Sequence, residues 1–367
     1  MTPSVSEWLS RTGRFLPTME ELLDGFCLQL QAHGVPVNRV SGLIVTLHPQ
    51  IRAVNLYWRD GVTEIVDRVH GEERSPQYIS SPGYAVIEGR QALVRRRLNE
   101  GADDFPVLAE LREQGFTDYL MMALEFSDRS RHGISYTTRA PGGFTDQDVG
   151  FLLGLEPQLS TLLELLRQRS IASVLLRTYV GVRTGEEVLH GRIQRGDRRE
   201  LDAVVMVADM RDFTSLTASL PREQLLARLD GFFGVGVEAI HSNGGEVLKF
   251  IGDALLAVFP AGDDAARRAW RAATILLSGL PPDTRAGVAL HRGEVIYGNV
   301  GGPDRLDFTV IGTAVNATAR IADQCKVLHE DLLATEAVAV DLDVPLRRLG
   351  SVPLRGLEEA LTLFAPA

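Results

Sequence analysis

"DFTVIGTAVNATARIAD" spans Asp307–Asp323. Its first part is β-branched and aromatic, which reads as a strand. The chain then turns at Gly312 and continues as an Ala-rich helix. Asn316 and Arg320 lie four residues apart on that helix, so an amide and a guanidinium share one face. Working outward, the preceding elements read as strand (Asp202–Met210), helix (Pro221–His241), hairpin (Glu246–Phe259), helix (Ala265–Leu280) and strands at Arg285–Leu290, Gly293–Asn299 and Asp307–Ile311. Strands and helices in this order give an α+β fold.

The first half is also mixed. Thr18 reads as the N-cap of a helix, "MEELLDGFCLQLQAHG", that ends at Gly34. "SGLIVTLH" and "IRAVNLYW" follow as strands, and "YLMMALEFS" and "GISYTTRAP" as a hairpin pair. A second helix starts near Thr145, with Asp148 placed for a capping box. Pro157 should kink or restart it. Beyond it, Leu159, Leu162, Leu166 and Ile171 form a stripe that packs on the N-terminal domain or pairs with its copy in a short coiled coil. The polar, Gly-rich Gly181–Leu201 segment carries the expected domain junction. The resulting domains are 1–145, a regulatory α/β domain; 146–199, a helical signalling linker; and 200–367, the second α+β domain.

Composition narrows the function. A chain of 367 residues with 45% hydrophobic and 23% charged content is ordinary globular protein. A net charge of −10 argues against a general nucleic-acid binder. Two cysteines, Cys27 and Cys325, build neither a zinc site nor a disulfide framework, which fits a reducing compartment. No uninterrupted apolar run approaches the roughly 18 residues of a membrane span, and the N-terminus lacks a signal-peptide core. The expectation is a cytoplasmic protein with no membrane and no nucleic-acid partner.

The chemistry concentrates in the second half. Asp209 ends an apolar strand, "VVMVADM", and "MRDFTSL" offers backbone amides around Phe213 and Thr214 that can cradle a phosphate. In "GGEVLKFIGDALLAVF", Gly252-Asp253 is a hairpin turn, and Lys249 sits in an otherwise apolar strand where an ammonium needs a partner. Each residue has a plain structural reading: a cap, a turn, or an Arg320–Asp323 pair at i,i+3. Together, two strand-end aspartates on neighbouring strands repel unless a cation lies between them, and hard Mg2+ or Mn2+ fits two carboxylates and substrate phosphates.

Residues from about 200 to 367 resemble the catalytic domain of class III nucleotidyl cyclases, the adenylyl and guanylyl cyclases. The resemblance rests on "ADMRDFTSL", "GGEVLKFIGDALLAVF", "GVALHRGEVIYGNVGG", "FTVIGTAVNATARI" and "LGSVPLRGLEEALTLF", in matching order and spacing. It implies a ferredoxin-like domain working as a head-to-tail homodimer, with active sites at the interface. It further implies that Asp209 and Asp253, with the Met210 carbonyl, hold two Mg2+ or Mn2+ ions. Lys249 and Thr309 would contact the purine, Asn316 the ribose and Arg320 the transition state, with Arg355 a further contact for the triphosphate. Asp212 departs from the glycine that many relatives carry. Lys249 can donate to N1 of adenine and Thr309 accept from N6, which favours ATP over GTP. Thr309 resembles the bicarbonate-stimulated subgroup, so bicarbonate is an expected regulator; a register shift of two would put Asp307 at the purine instead. The N-terminal half vaguely resembles a GAF- or PAS-like sensor. His48, His70 and His132 suggest haem or metal less than ordinary structural roles. A guanylyl cyclase and a nucleotide-binding pseudo-cyclase are the alternatives. A diguanylate cyclase shares only the superficial "GGEV" at Gly244–Val247.

Overall fold

The computed structural model describes all residues except 1–2, 73–74, 102–103, 193, 195, 197 and 358. The chain divides into two units, Met1–Leu175 and Leu176–Ala367.

Unit 1 is built on one antiparallel sheet. Its strands are β1 (Arg39–Val45), β2 (Ile51–Arg59), β3 (Val62–Val69), β4 (Leu93–Arg97), β5 (Asp118–Glu125) and β6 (Arg131–Thr138), in the order β3-β2-β1-β6-β5-β4. Alternation decides the faces. Val40, Ile44, Leu56, Trp58, Leu120, Met122 and Tyr136 point to one side and bury against the helices Met19–Ala32 and Asp146–Val180. The first of these helices starts as the sequence indicates, with Thr18 Oγ1 accepting from Glu21 N at 3.2 Å. Gly34 follows its end with φ +84°, a left-handed conformation that glycine adopts without strain.

The Asp146–Val180 helix starts on the expected box: Thr145 N donates to Asp148 Oδ2 at 2.8 Å and Asp148 N to Thr145 Oγ1 at 3.1 Å. Pro157 does not restart it, for the helix is continuous over 35 residues. Leu155 and Leu159, on either side of Pro157, are both packed in the core, so tertiary burial outweighs one lost backbone bond. Leu159, Leu162 and Leu166 pack on the unit 1 core, which uses the stripe that a coiled coil would need. By length and composition alone this helix is apolar enough to cross a bilayer, contrary to the expectation drawn from uninterrupted runs. Leu152, Leu155, Leu159, Leu163 and Leu166 face the unit 1 core, while Leu153 and Leu165 are exposed.

Unit 2 carries β7 (Arg198–Met210), β8 (Glu246–Ile251), β9 (Ala254–Pro260), β10 (Ala286–Gly301), β11 (Leu306–Ile311), β12 (Leu332–Thr335), β13 (Leu346–Val352) and β14 (Leu361–Pro366) in an eight-stranded sheet. The path runs β13-β14-β12-β10-β7-β9-β8, with β11 paired to β10. Within it, β10-β7-β9-β8 and the helices Arg222–Ser242 and Ala265–Ser278 form the antiparallel βαββαβ unit of a ferredoxin-like α+β fold. Both helices bury on one face, where Ala269, Ala272 and Ala273 allow close packing. The helix Thr313–Val327 lies near β10 and β7.

Two expected strands are one. Arg285–Leu290 and Gly293–Asn299 merge into β10, which pairs with β7 continuously from Ala286↔Met210 to Gly298↔Arg198. Gly293 is not a turn; a Cβ there would stand 3.0 Å from Ala314 Cβ, so it admits the following helix. The sequence placed the domain junction in Gly181–Leu201, whereas the division falls at Leu175/Leu176. Residues 182–189 form a helix tied to unit 2 by Thr184: its N and Oγ1 donate to Glu246 Oε1 at 3.0 and 3.1 Å.

Candidate active site

Three strand ends meet at the candidate residues Asp209 and Asp253. Asp209 is the penultimate residue of β7 and Asp253 the turn residue between β8 and β9, and the register pairs Asp209 with Ala254. Gly252 takes φ +64°, which lets the chain reverse there and present Asp253. Met210, buried, donates its N–H to the Asp253 carbonyl at 3.1 Å. The two carboxylates therefore converge. The Asp209 carboxyl is pushed up to about 6, first by partial burial, then by the charge of and hydrogen bond to Asp253, and then by Asp323; Arg211 opposes this. Like charges held this close are a pair that a divalent cation could offset. Among the described residues, no group of three or more His, Cys, Asp or Glu side chains forms a metal-binding cluster. Any ion here would complete its shell with backbone, water and substrate oxygens.

Asp212 adopts φ +60° and caps the short Phe213–Ser219 helix. The left-handed conformation explains why glycine would suit the position, and aspartate is among the side chains that tolerate it. Phe213 packs against the helix-side core, and Thr214 is exposed.

The Thr313–Val327 helix follows Gly312 and presents Asn316 and Arg320 on its exposed face, while Ala314, Ala317 and Ile321 are buried. Arg320 pairs with Asp323 at 3.6 Å, and Asp323 also contributes to the field on Asp209. Gly287 sets this approach, since a Cβ on it would lie 2.8 Å from Cys325 Cβ. Arg211 clamps the end of the helix by donating to the Cys325 carbonyl at 3.2 Å and to the Glu330 carbonyl, and by pairing with Asp331 at 2.9 Å. The sequence reading missed Arg211. Its position directly after the strand-end Asp209-Met210 was the available signal.

Lys249 finds the partner that its apolar strand required. Its Nζ lies 3.3 Å from Asp307 Oδ2, and the side chain is 31% exposed. Thr309 shares the face of β11 with Asp307 and is buried, paired with Gly298 of β10. The β8–β9 hairpin thus takes part in two clusters, Lys249 with Asp307 and Asp253 with Asp209. Arg355 is exposed in the connection between β13 and β14. Among the described residues, neither Arg355 nor Thr214 hydrogen-bonds or ion-pairs with the other site residues. Glu246 of "GGEV" is buried: Tyr297 Oη donates to its Oε2 at 2.8 Å and Thr184 holds Oε1.

The three histidines of unit 1 singled out in the sequence make local hydrogen bonds. His132 Nδ1 accepts from Val45 N at 3.0 Å, so Nε2 carries the proton toward Ser130 Oγ at 2.9 Å. His48 Nδ1 accepts from Gln50 N at 3.0 Å, and His70 Nε2 meets the His48 carbonyl at 3.0 Å.

No family model matches the chain. It is 33% identical over 222 residues to "Uncharacterized protein Rv1320c" of Mycobacterium tuberculosis, covering 58% of this chain and 39% of that protein. It is 34% identical over 212 residues to "Uncharacterized protein Rv1318c" of the same organism, covering 55% and 39%. The chain thus spans about two fifths of the length of the curated relatives it matches. Among solved structures, similarity extends to a bacterial light-regulated adenylyl cyclase (24% identity, TM-score 0.49, 58% of this chain and 64% of that one). It also extends to the adenylyl cyclase CyaB from P. aeruginosa (18%, TM-score 0.42, 47% and 96%). A third is the guanylyl cyclase Cya2 (25%, TM-score 0.39, 47% and 93%). These partial superpositions leave the chemistry to be read from the residues themselves.

Proposed function

We propose that unit 2 is the catalytic half of a class III nucleotidyl cyclase that converts ATP to 3′,5′-cyclic AMP and pyrophosphate. The observation that carries this reading is the convergence of Asp209 and Asp253 at two strand ends, with the Asp209 carboxyl raised to about 6 partly by its neighbour. That dyad fits Mg2+ or Mn2+, held by the two carboxylates with the Met210 carbonyl. When bound, the ions supply charge neutralisation for the 3′-hydroxyl and the departing pyrophosphate.

The chain's own residues do the rest. Asn316 orients the ribose, and the Arg320 guanidinium, exposed and paired among the described residues with Asp323, is available to the charge that develops on the α-phosphate. Backbone amides around Phe213 and Thr214, with Arg355, serve the phosphates. Lys249 and Asp307 together offer a donor and an acceptor, the pattern complementary to the N1 and N6 edge of adenine. Thr309, buried beside them, supports the same polarity, and a bicarbonate response rests on this residue alone. The reading includes a homodimer in which each subunit gives its carboxylate dyad to one site and Lys249, Asn316 and Arg320 to the other. It also includes a cytoplasmic setting and a regulatory role for unit 1 of the GAF or PAS kind.

The test is product analysis with ATP and GTP in parallel, with Mg2+ or Mn2+. Cyclic AMP formation that Asp253→Asn abolishes supports the reading. Cyclic GMP alone would move the chain to the guanylyl cyclases, and no cyclic product from either would leave a nucleotide-binding module.

A further inference from the structure

A cavity of about 600 Å³ opens in unit 1 on the sheet face opposite the core. Its volume lies within the range of small-molecule sites, about 300–1,000 Å³. Segments around Tyr78 and Val107 line it from beyond the sheet. Register defines the floor. Tyr57, Ser41, Ser135 and Met121 form one row across β2, β1, β6 and β5. Arg39, Thr137 and Tyr119 form the next row, and the Thr137 hydroxyl is buried without a hydrogen-bond partner.

Three arginines line this cavity. Arg52 reaches Glu88 at 3.3 Å, and Arg68 reaches Glu72 at 3.9 Å. Arg39 differs. Among the described residues it pairs with no carboxylate; its guanidinium lies 5.5 Å from the Tyr57 ring centroid, and its cross-strand neighbour on β2 is another cation, Arg59. Burial lowers its pKa, as expected of a charge held without a counter-ion. Such a desolvated guanidinium is unfavourable by itself, and a carboxylate matches its fork of donors.

We propose that this cavity binds a small aromatic monocarboxylate, its carboxylate engaged by Arg39. Among the described residues Arg39 is the lining arginine with no ion-paired carboxylate, so it can take one carboxylate, while Glu110, an exposed lining residue, adds a negative charge that disfavours a dianion. The phenol rings of Tyr57, Tyr78 and Tyr119 and the thioether of Met121 supply flat apolar contact for a ring. The Ser135 hydroxyl adds a polar contact on the floor. Neither unit 2 nor nucleotide turnover enters this assignment.

The test uses the full chain and reads binding, by calorimetry and by thermal shift. The probes are benzoate and indole-3-acetate, with benzamide and indole-3-acetamide as neutral counterparts and inorganic phosphate as a second anion. Each is added at about 10 mM, above the roughly 1 mM dissociation constant of a fragment held by one charged contact. Saturable binding of a carboxylate, at least about tenfold weaker for its amide, is the expected result. Arg39→Met should remove that preference and, in the absence of probe, leave the melting temperature unchanged or raised. Should this variant not fold, the comparison of acid with amide on the unaltered chain still decides. Equal binding of acid and amide, no saturable response to either acid, or a response to phosphate alone would each overturn the proposal.

Discussion

The buried Glu246 carboxylate sets a measurable link between the 182–189 helix and the sheet of unit 2. It accepts from Thr184 N and Oγ1 at 3.0 and 3.1 Å and from Tyr297 Oη at 2.8 Å, and its residue is 6% exposed. Glu246→Ala leaves three donors without their acceptor. Hydrogen bonds to a charged group contribute about 1.5–3 kcal/mol each. Part is recovered, because Thr184 Oγ1 and Tyr297 Oη are 3.4 Å apart and can bond to each other. The net loss should be about 3–5 kcal/mol. A helix of 8 residues has little stability of its own, so the loss should appear there first. Hydrogen exchange of the 184–189 amides should rise by about 100-fold or more, at one decade per 1.4 kcal/mol, while the strands of unit 2 change less. Glu246→Gln keeps one acceptor oxygen for Thr184, and its amide can donate to the phenol, so it should lose only about 1 kcal/mol. Unchanged exchange in Glu246→Ala, or equal damage from both variants, would refute this account.

Three further predictions concern the two units separately. Mixing Asp253→Ala with Arg320→Ala protein should restore about one quarter of wild-type activity, because half the dimers are mixed and each holds one intact site; no recovery in demonstrated heterodimers would count against shared sites. Mn2+ at about 100 times its dissociation constant should stabilise unit 2 by about 2.7 kcal/mol, reversed by chelation and absent in Asp209→Asn/Asp253→Asn; an equal Mn2+ shift in that double variant would remove the dyad as the metal site. His132, fully buried, has its pKa lowered to about 4, first by desolvation and then by Arg167, against Asp128 and Glu164. The unfolded chain takes up the proton first, so this stability is present above pH 6.5 and is lost as pH falls toward 4, by about 3 kcal/mol in all. Exchange protection of β1 and β6 measured across that window should fall more steeply in wild type than in His132→Gln, and parallel profiles would contradict it.

Much of unit 2 was legible in the sequence because its signals are local. A strand ending in Asp209, a Gly-Asp turn, and a glycine followed by an alanine-rich helix each follow from the conformational limits of a few neighbouring residues. Where the reading failed, a distant partner decided. Arg292-Gly293 resembles a break until thirteen-residue β7 supplies an unbroken ladder opposite it. Pro157 resembles a helix end until the leucines on both sides are buried.

The candidate site divides the same way. The sequence by itself determined which residues carry the charges and which of them share a strand or helix face. Only the tertiary structure decided that Lys249 meets Asp307, that Asp253 raises the Asp209 carboxyl, and that Arg39 lines a cavity with no ion-paired carboxylate among the described residues. Pairing and desolvation depend on what other segments bring within a few ångströms, and no local sequence pattern specifies that distance.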